Sequence, residues 1–170
     1  MSNNNYNIKV QVNSLLPIEK EVKKLFFDIL NDYVERFNAK TVITDTKLAI
    51  CLIEYNENSA EQGLACYPED LEQLNRVLVQ IRDPALNGWE GNPSVILFYV
   101  GTMCHEFVHV CQYLTGRKGF PIKGAKYNKK DPRDSYFFNP VEVEARAFEA
   151  IYTSLYGMKL VEKLLCSDPS

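Results

Sequence analysis

Apolar residues recur at helical spacing between positions 17 and 37. Ile18, Val22, Leu25, Phe26, Ile29, Leu30, Tyr33 and Phe37 fall on one face, and Pro17 suits a first turn. The period then changes. Residues 41–46 (TVITDT) and 47–55 (KLAICLIEY) are rich in strand formers, 56–63 (NENSAEQG) carries turn chemistry, and 64–67 (LACY) predicts a short strand ending at Pro68. Residues 76–83 alternate Val77, Val79 and Ile81 with Leu78, Gln80 and Arg82, which predicts a strand near a sheet edge. After a loop over 83–93, Asn92 and Pro93 read as an N-cap and first helical position, and Gly116 as the stop of a helix over 93–115. That helix is apolar nearly all round as far as Cys104, as a buried central helix would be.

Residues 116–138 predict a long irregular stretch. Residues 139–157 then repeat the Asn-Pro start and the glycine stop, giving a third helix, with a short fraying helix after 157. The order is helix, strands, helix, helix. It predicts one α+β domain over 1–170 with a small mixed or antiparallel sheet, helices on one face and a flexible tail over the Asn-rich residues 1–10.

Composition narrows the class. At 170 residues the chain suffices for one domain with a real core, and 46% hydrophobic with 24% charged residues is ordinary for a globular protein. A net charge of −3 argues against general binding to nucleic acid or acidic membranes. The polar start lacks the basic-then-apolar order of a signal peptide, and no unbroken apolar run reaches the roughly 18 residues of a membrane span. Five cysteines without CxxC spacing read as reduced thiols, so a cytoplasmic setting is expected; Cys104 and Cys111 share a helical face and are expected in the core.

Both histidines of the chain stand in HEFVH, residues 105–109. A helix turns about 100° per residue, so positions four apart differ by about 40°. His105 and His109 therefore leave the same face one turn apart and can share one metal ion. Glu106 is rotated to the edge of that face, where its carboxylate reaches a metal-activated water without being a ligand. The plainer reading, two hydrogen-bonded core histidines, fits a buried apolar helix poorly, because unpaired imidazoles are costly there. A catalytic zinc takes three protein ligands and leaves one place for water. With no third histidine, the third ligand must be Asp, Glu or Cys, and the third helix offers Glu142, Glu144 and Glu149.

HExxH followed some thirty residues later by a Glu-x-Glu-Ala helix resembles the gluzincin metallopeptidases, in particular small one-domain members with ExEAxxF helices. The resemblance covers roughly residues 76–150 and is specific mainly at these two motifs. It implies a minimal zincin-like fold and a zinc-dependent metalloprotease acting on a protein or peptide. It implies Glu142 as the third ligand and the 76–83 strand as the edge that holds an extended substrate. Glu142 also has a local use, since at the third helical position after Asn139 it can complete a capping box. The chain departs from the thermolysin type, where an Asp four residues after the ligand Glu supports a zinc histidine; Arg146 stands there instead. SprT-like proteases share the layout but use a third histidine.

Within this reading Glu106 is the general base and acid. Tyr127, Tyr136 and Arg146 are candidates by position for stabilising the oxyanion. The basic residues Arg117, Lys118, Lys123, Lys126, Lys129, Lys130 and Arg133 form a solvated loop or a lid attracting an acidic peptide or a nucleic-acid-bound substrate. Two other classes fit the same residues: a zincin-like binding or inhibitory module, and a zinc hydrolase of a non-peptide bond.

Overall fold

Asn7–Asn13 alternates in the strand period: Ile8 and Val12 are buried and Val10 half-buried, while Lys9, Gln11 and Asn13 face solvent. The computed structural model, which describes residues 7–14, 16–43, 45–54, 63–66, 75–83, 92–117 and 138–166, makes this segment strand β1. The expected tail over 1–10 is thus corrected for residues 7–10. The Asn-rich start hid an alternating run whose apolar half reaches the core.

Helix α1 (Glu19–Arg36) follows, then β2 (Asp45–Glu54), β3 (Gly63–Cys66), β4 (Arg76–Asp83), α2 (Pro93–Thr115), α3 (Pro140–Tyr152), a π-helical turn (Thr153–Gly157) and α4 (Met158–Cys166). The fold is α+β around a mixed sheet in the order β1-β2-β4-β3. The first three are mutually parallel and β3 runs antiparallel to β4. The parallel pairing of β1 and β2 needs a crossover, which α1 supplies.

Two sequence expectations change here. Residues 41–43 are not strand: the N–H groups of Val42 and Ile43 donate to the Leu114 carbonyl at 2.8 and 3.2 Å, satisfying an orphan acceptor at the end of α2. And β4 is not an edge. It is paired on both sides, with β2 and β3, so among the described residues the short β3 closes that side of the sheet. The half-exposed Leu78, Gln80 and Arg82 mark the outer face of β4 instead.

The core lies between the sheet's other face and the helices. Leu48, Ile50, Val77, Val79 and Ile81 meet the predicted face of α1 and α2 residues such as Val100, Met103, Phe107 and Val110. Helix α2 starts at Asn92, whose side chain accepts from Ser94 N at 3.0 Å, and ends at Gly116 in the left-handed region (φ 63°). It is the one described helix long and apolar enough to cross a membrane by length and composition, although no unbroken apolar run in it reaches that length. In this fold 67% of its most apolar 18-residue stretch is buried within the domain. Cys104 and Cys111 are buried as expected, and burial pushes the Cys104 thiol up to about 12.

Gly157 does not stop the third helix. A Cβ there would lie 2.8 Å from Val100 Cγ1, so this glycine lets the π turn press against α2. The turn also has a phase reason. The buried residues Ala145 and Tyr152 are spaced by seven, whereas Leu160 comes eight after Tyr152. A π turn absorbs one extra residue and keeps all three on one stripe.

Candidate metal centre

Helices α2 and α3 pack against each other and bring their polar residues together. His105 Nε2 and His109 Nε2 are 3.1 Å apart. Glu142, from the first turn of α3, places Oε2 3.4 Å from His105 Nε2 and Oε1 3.3 Å from His109 Nε2. Asn139 caps α3 by accepting from Val141 N at 3.1 Å, and Glu142 points to the histidines. These three residues could hold a metal ion, with ligand atoms all within 4.8 Å of one another. The nearest-atom separations match the edges of a tetrahedral centre with bonds of 2.0–2.1 Å, which are about 3.3 Å.

The groups behind the rings fix where their protons sit. Gln112 Nε2 donates to Val141 O at 3.0 Å and to Glu144 Oε1 at 3.2 Å. Its amide is therefore oriented with Oε1 at 2.9 Å from His109 Nδ1, and a carbonyl oxygen only accepts, so that Nδ1 carries the proton. His105 Nδ1 lies 3.3 Å from Glu149 Oε2, again an acceptor. Both rings can thus donate from Nδ1, and both Nε2 atoms face each other and the Glu142 carboxylate. A proton can take the place between them: burial pulls the His105 pKa down, but hydrogen bonds to Glu142 and Glu149 and the charge of Glu106 outweigh it and raise it to about 9.

Glu149 and Gln112 are thus the groups behind the two histidines. Glu149 stands seven residues after Glu142, which returns it to the same helical face. Gly101 makes room for it: a Cβ there would stand 3.2 Å from Glu149 Oε1. Glu144 faces elsewhere. It accepts from Tyr33 Oη and from Arg117 Nη2 at 2.9 Å, and although burial works against its charge, the hydrogen bonds from Tyr33, Arg117 and Gln112 hold its pKa below the usual carboxylate value. The Arg117 guanidinium also donates to Tyr33 Oη at 3.1 Å and stacks 3.6 Å over the Phe37 ring. Arg117 is therefore engaged inside the domain rather than in a basic lid; residues 118–133 lie outside the described residues.

Glu106 is buried, at 7% exposure, against β3. A Cβ on Gly63 would come within 2.7 Å of Glu106 Oε1 and 2.8 Å of Thr102 Cγ2, so the glycine at the start of the edge strand is what admits the carboxylate. Arg146 is half-buried on the face of α3 that carries Glu142 and Glu149. Tyr127 and Tyr136 lie outside the described residues. The sequence alone leaves the support of the histidines unassigned, gives Gln112, Gly63 and Gly101 no role, and places Tyr33 only on the core face of α1. Only the seven-residue spacing of Glu142 and Glu149 offered a signal. Set against family models, curated proteins and solved structures, the chain has no match in any of the three, and the likeness to gluzincins rests on its own residues.

Proposed function

We propose that this protein is a zinc-dependent metallopeptidase. The observation that carries the reading is the convergence of the two Nε2 atoms and the Glu142 carboxylate, with the buried Glu106 close enough for its charge to act on His105. Two imidazoles and a carboxylate are a donor set suited to zinc, and three protein ligands leave a position open. A zinc ion so held would lower the pKa of a water toward 7 and polarise a scissile carbonyl. Glu106 would hold the proton of the attacking water and release it to the leaving amine. Its burial against Gly63 restricts where the carboxylate can sit. Strand β3, at the rim of the sheet among the described residues and beside Glu106, has main-chain groups along which an extended peptide could add as a further strand.

Zinc per chain, measured by elemental analysis on the purified protein beside Glu142→Ala and Glu144→Ala, tests the metal half. The expected result is about one zinc per chain by the three-ligand argument, with loss in Glu142→Ala. Loss in Glu144→Ala alone would overturn the ligand set, and no zinc in the native protein after reconstitution would overturn the reading. The catalytic half is tested by incubating the zinc-loaded protein with a mixed peptide library and reading new termini by mass spectrometry. Cleavage abolished in Glu106→Gln supports it, whereas equal cleavage by both forms refutes it.

A further inference from the structure

Gln112 is buried, one turn beyond the histidine pair, and touches three elements at once. Its carbonyl accepts from His109 Nδ1, and its amide nitrogen bridges the Val141 carbonyl and Glu144. Glu144 is gripped in turn by Tyr33 of α1 and by Arg117 just past the end of α2. Arg117 is held by Tyr33 Oη and the Phe37 ring.

We propose that Gln112 is a positioning residue for His109, and that the Glu144–Arg117 ion pair is what keeps Gln112 in its working orientation. An amide has two faces of opposite hydrogen-bonding sense. Turned over, Gln112 would present N–H groups to His109 Nδ1, forcing the ring proton onto Nε2 and removing the lone pair that faces the cluster. The Val141 carbonyl alone biases the amide by one hydrogen bond. A charged acceptor at 3.2 Å adds a stronger one, and Arg117 holds that acceptor in place. The chain thus uses an amide locked by an ion pair where a simple carboxylate would serve, and it ties the ring's proton to contacts made by α1 and by the residue following Gly116.

This inference rests on the metal-site reading for its consequence and for the second of its two readouts, but not for the first. The first is the tautomer of His109 in metal-free protein, from long-range nitrogen–proton NMR couplings. Native protein should show the proton on Nδ1, and Gln112→Leu and Arg117→Ala should move it toward Nε2, with Arg117→Lys keeping the native form. The second is zinc affinity by chelator competition, where loss of a partner behind a ligand histidine costs about 10–100-fold; Gln112→Leu should fall in that range and Glu144→Gln should fall in the same direction. Glu144→Gln preserves shape and serves if Gln112→Leu does not fold. An unchanged tautomer in folded variants overturns the proposal. A native protein that binds no zinc yet shows the tautomer shift would overturn the metallopeptidase reading and leave the positioning role standing.

Discussion

Replacing Gly63 by alanine tests whether Glu106 is held where its chemistry would need it. The backbone tolerates the change, since Gly63 is not among the described residues with positive φ. The obstacle is space. The new Cβ would stand 2.7 Å from Glu106 Oε1, 2.8 Å from Glu106 Cγ and 2.8 Å from Thr102 Cγ2, where ordinary contact begins at 3.4 Å. Thr102 has little freedom to yield, because its hydroxyl donates to Phe98 O at 3.0 Å. Glu106 must then retreat by about 0.7 Å within a packed interior. Overpacking of this kind costs about 1–3 kcal/mol, offset by about 0.5–1 kcal/mol from replacing glycine in a strand. The expected net loss is about 1 kcal/mol in urea denaturation of the metal-free protein. Because misplacing a reacting group by 1 Å can cost about 100-fold, peptide cleavage should fall about 10- to 100-fold with the zinc content intact. The cause can be isolated in a Glu106→Ala background, where the alanine at 63 should be tolerated far better. Additive effects, or a Gly63→Ala protein as stable and active as the native one, would refute this account of Glu106.

Gly101→Ala should leave stability nearly unchanged, the helix gain of about 0.5–1 kcal/mol balancing the 3.2 Å contact with Glu149, yet weaken zinc binding about 10-fold by tilting His105; calorimetry and chelator competition separate the two effects. Gly157→Ala should destabilise by about 1 kcal/mol through its collision with Val100, and Val100→Ala should relieve it non-additively in a double-mutant cycle. Asp32 is disfavoured as a charge by burial, but hydrogen bonds from Arg36, Tyr152 and Tyr156 win and depress its pKa. Its contribution to stability is therefore complete above the ordinary value of about 3.9 and disappears as pH falls through the lower folded value. The stability difference between native protein and Asp32→Asn should be flat from pH 7 to about 5 and shrink below about 3.9; a difference that grows toward acid would contradict the assignment.

What could be read in the sequence was whatever the local chain determines. Helix α2 was fixed at both ends because Asn92, Pro93 and Gly116 act on their own neighbours. The face of α1 followed from period alone, and Ile18, Val22, Leu25, Phe26, Ile29, Leu30 and Tyr33 are all buried. The pairing of His105 with His109 is likewise a matter of one helical turn. The position of β4 is not legible in the same way, because alternating polarity reports that one face is wetter and says nothing about whether the hydrogen-bonding sides are paired. Nor is the role of Gly157, because a glycine at a helix end and a glycine at a helix crossing look alike until the neighbour is known. Glu142, Glu144 and Glu149 could be told apart only by their partners, Tyr33, Gln112 and Arg117 being between 27 and 111 residues from Glu144 along the chain. Such contacts belong to packing and leave no periodic trace.

The π turn bears on how this chain can change length. A helix that carries one surplus residue has already solved the problem an insertion poses, because the extra position is stored as a widened turn and not as a rotated face. Removing a single residue from Thr153–Leu155 would convert the turn to ordinary helix and leave Leu160 and Leu164 on the stripe of Ala145 and Tyr152. The same deletion anywhere in α2 would swing His109 away from His105 or detach the capped ends. Insertions and deletions are thus buffered at one joint of this fold, just beyond the helix that carries Glu142 and Glu149, and the lineage of such a chain should vary in length there before it varies anywhere near the histidines.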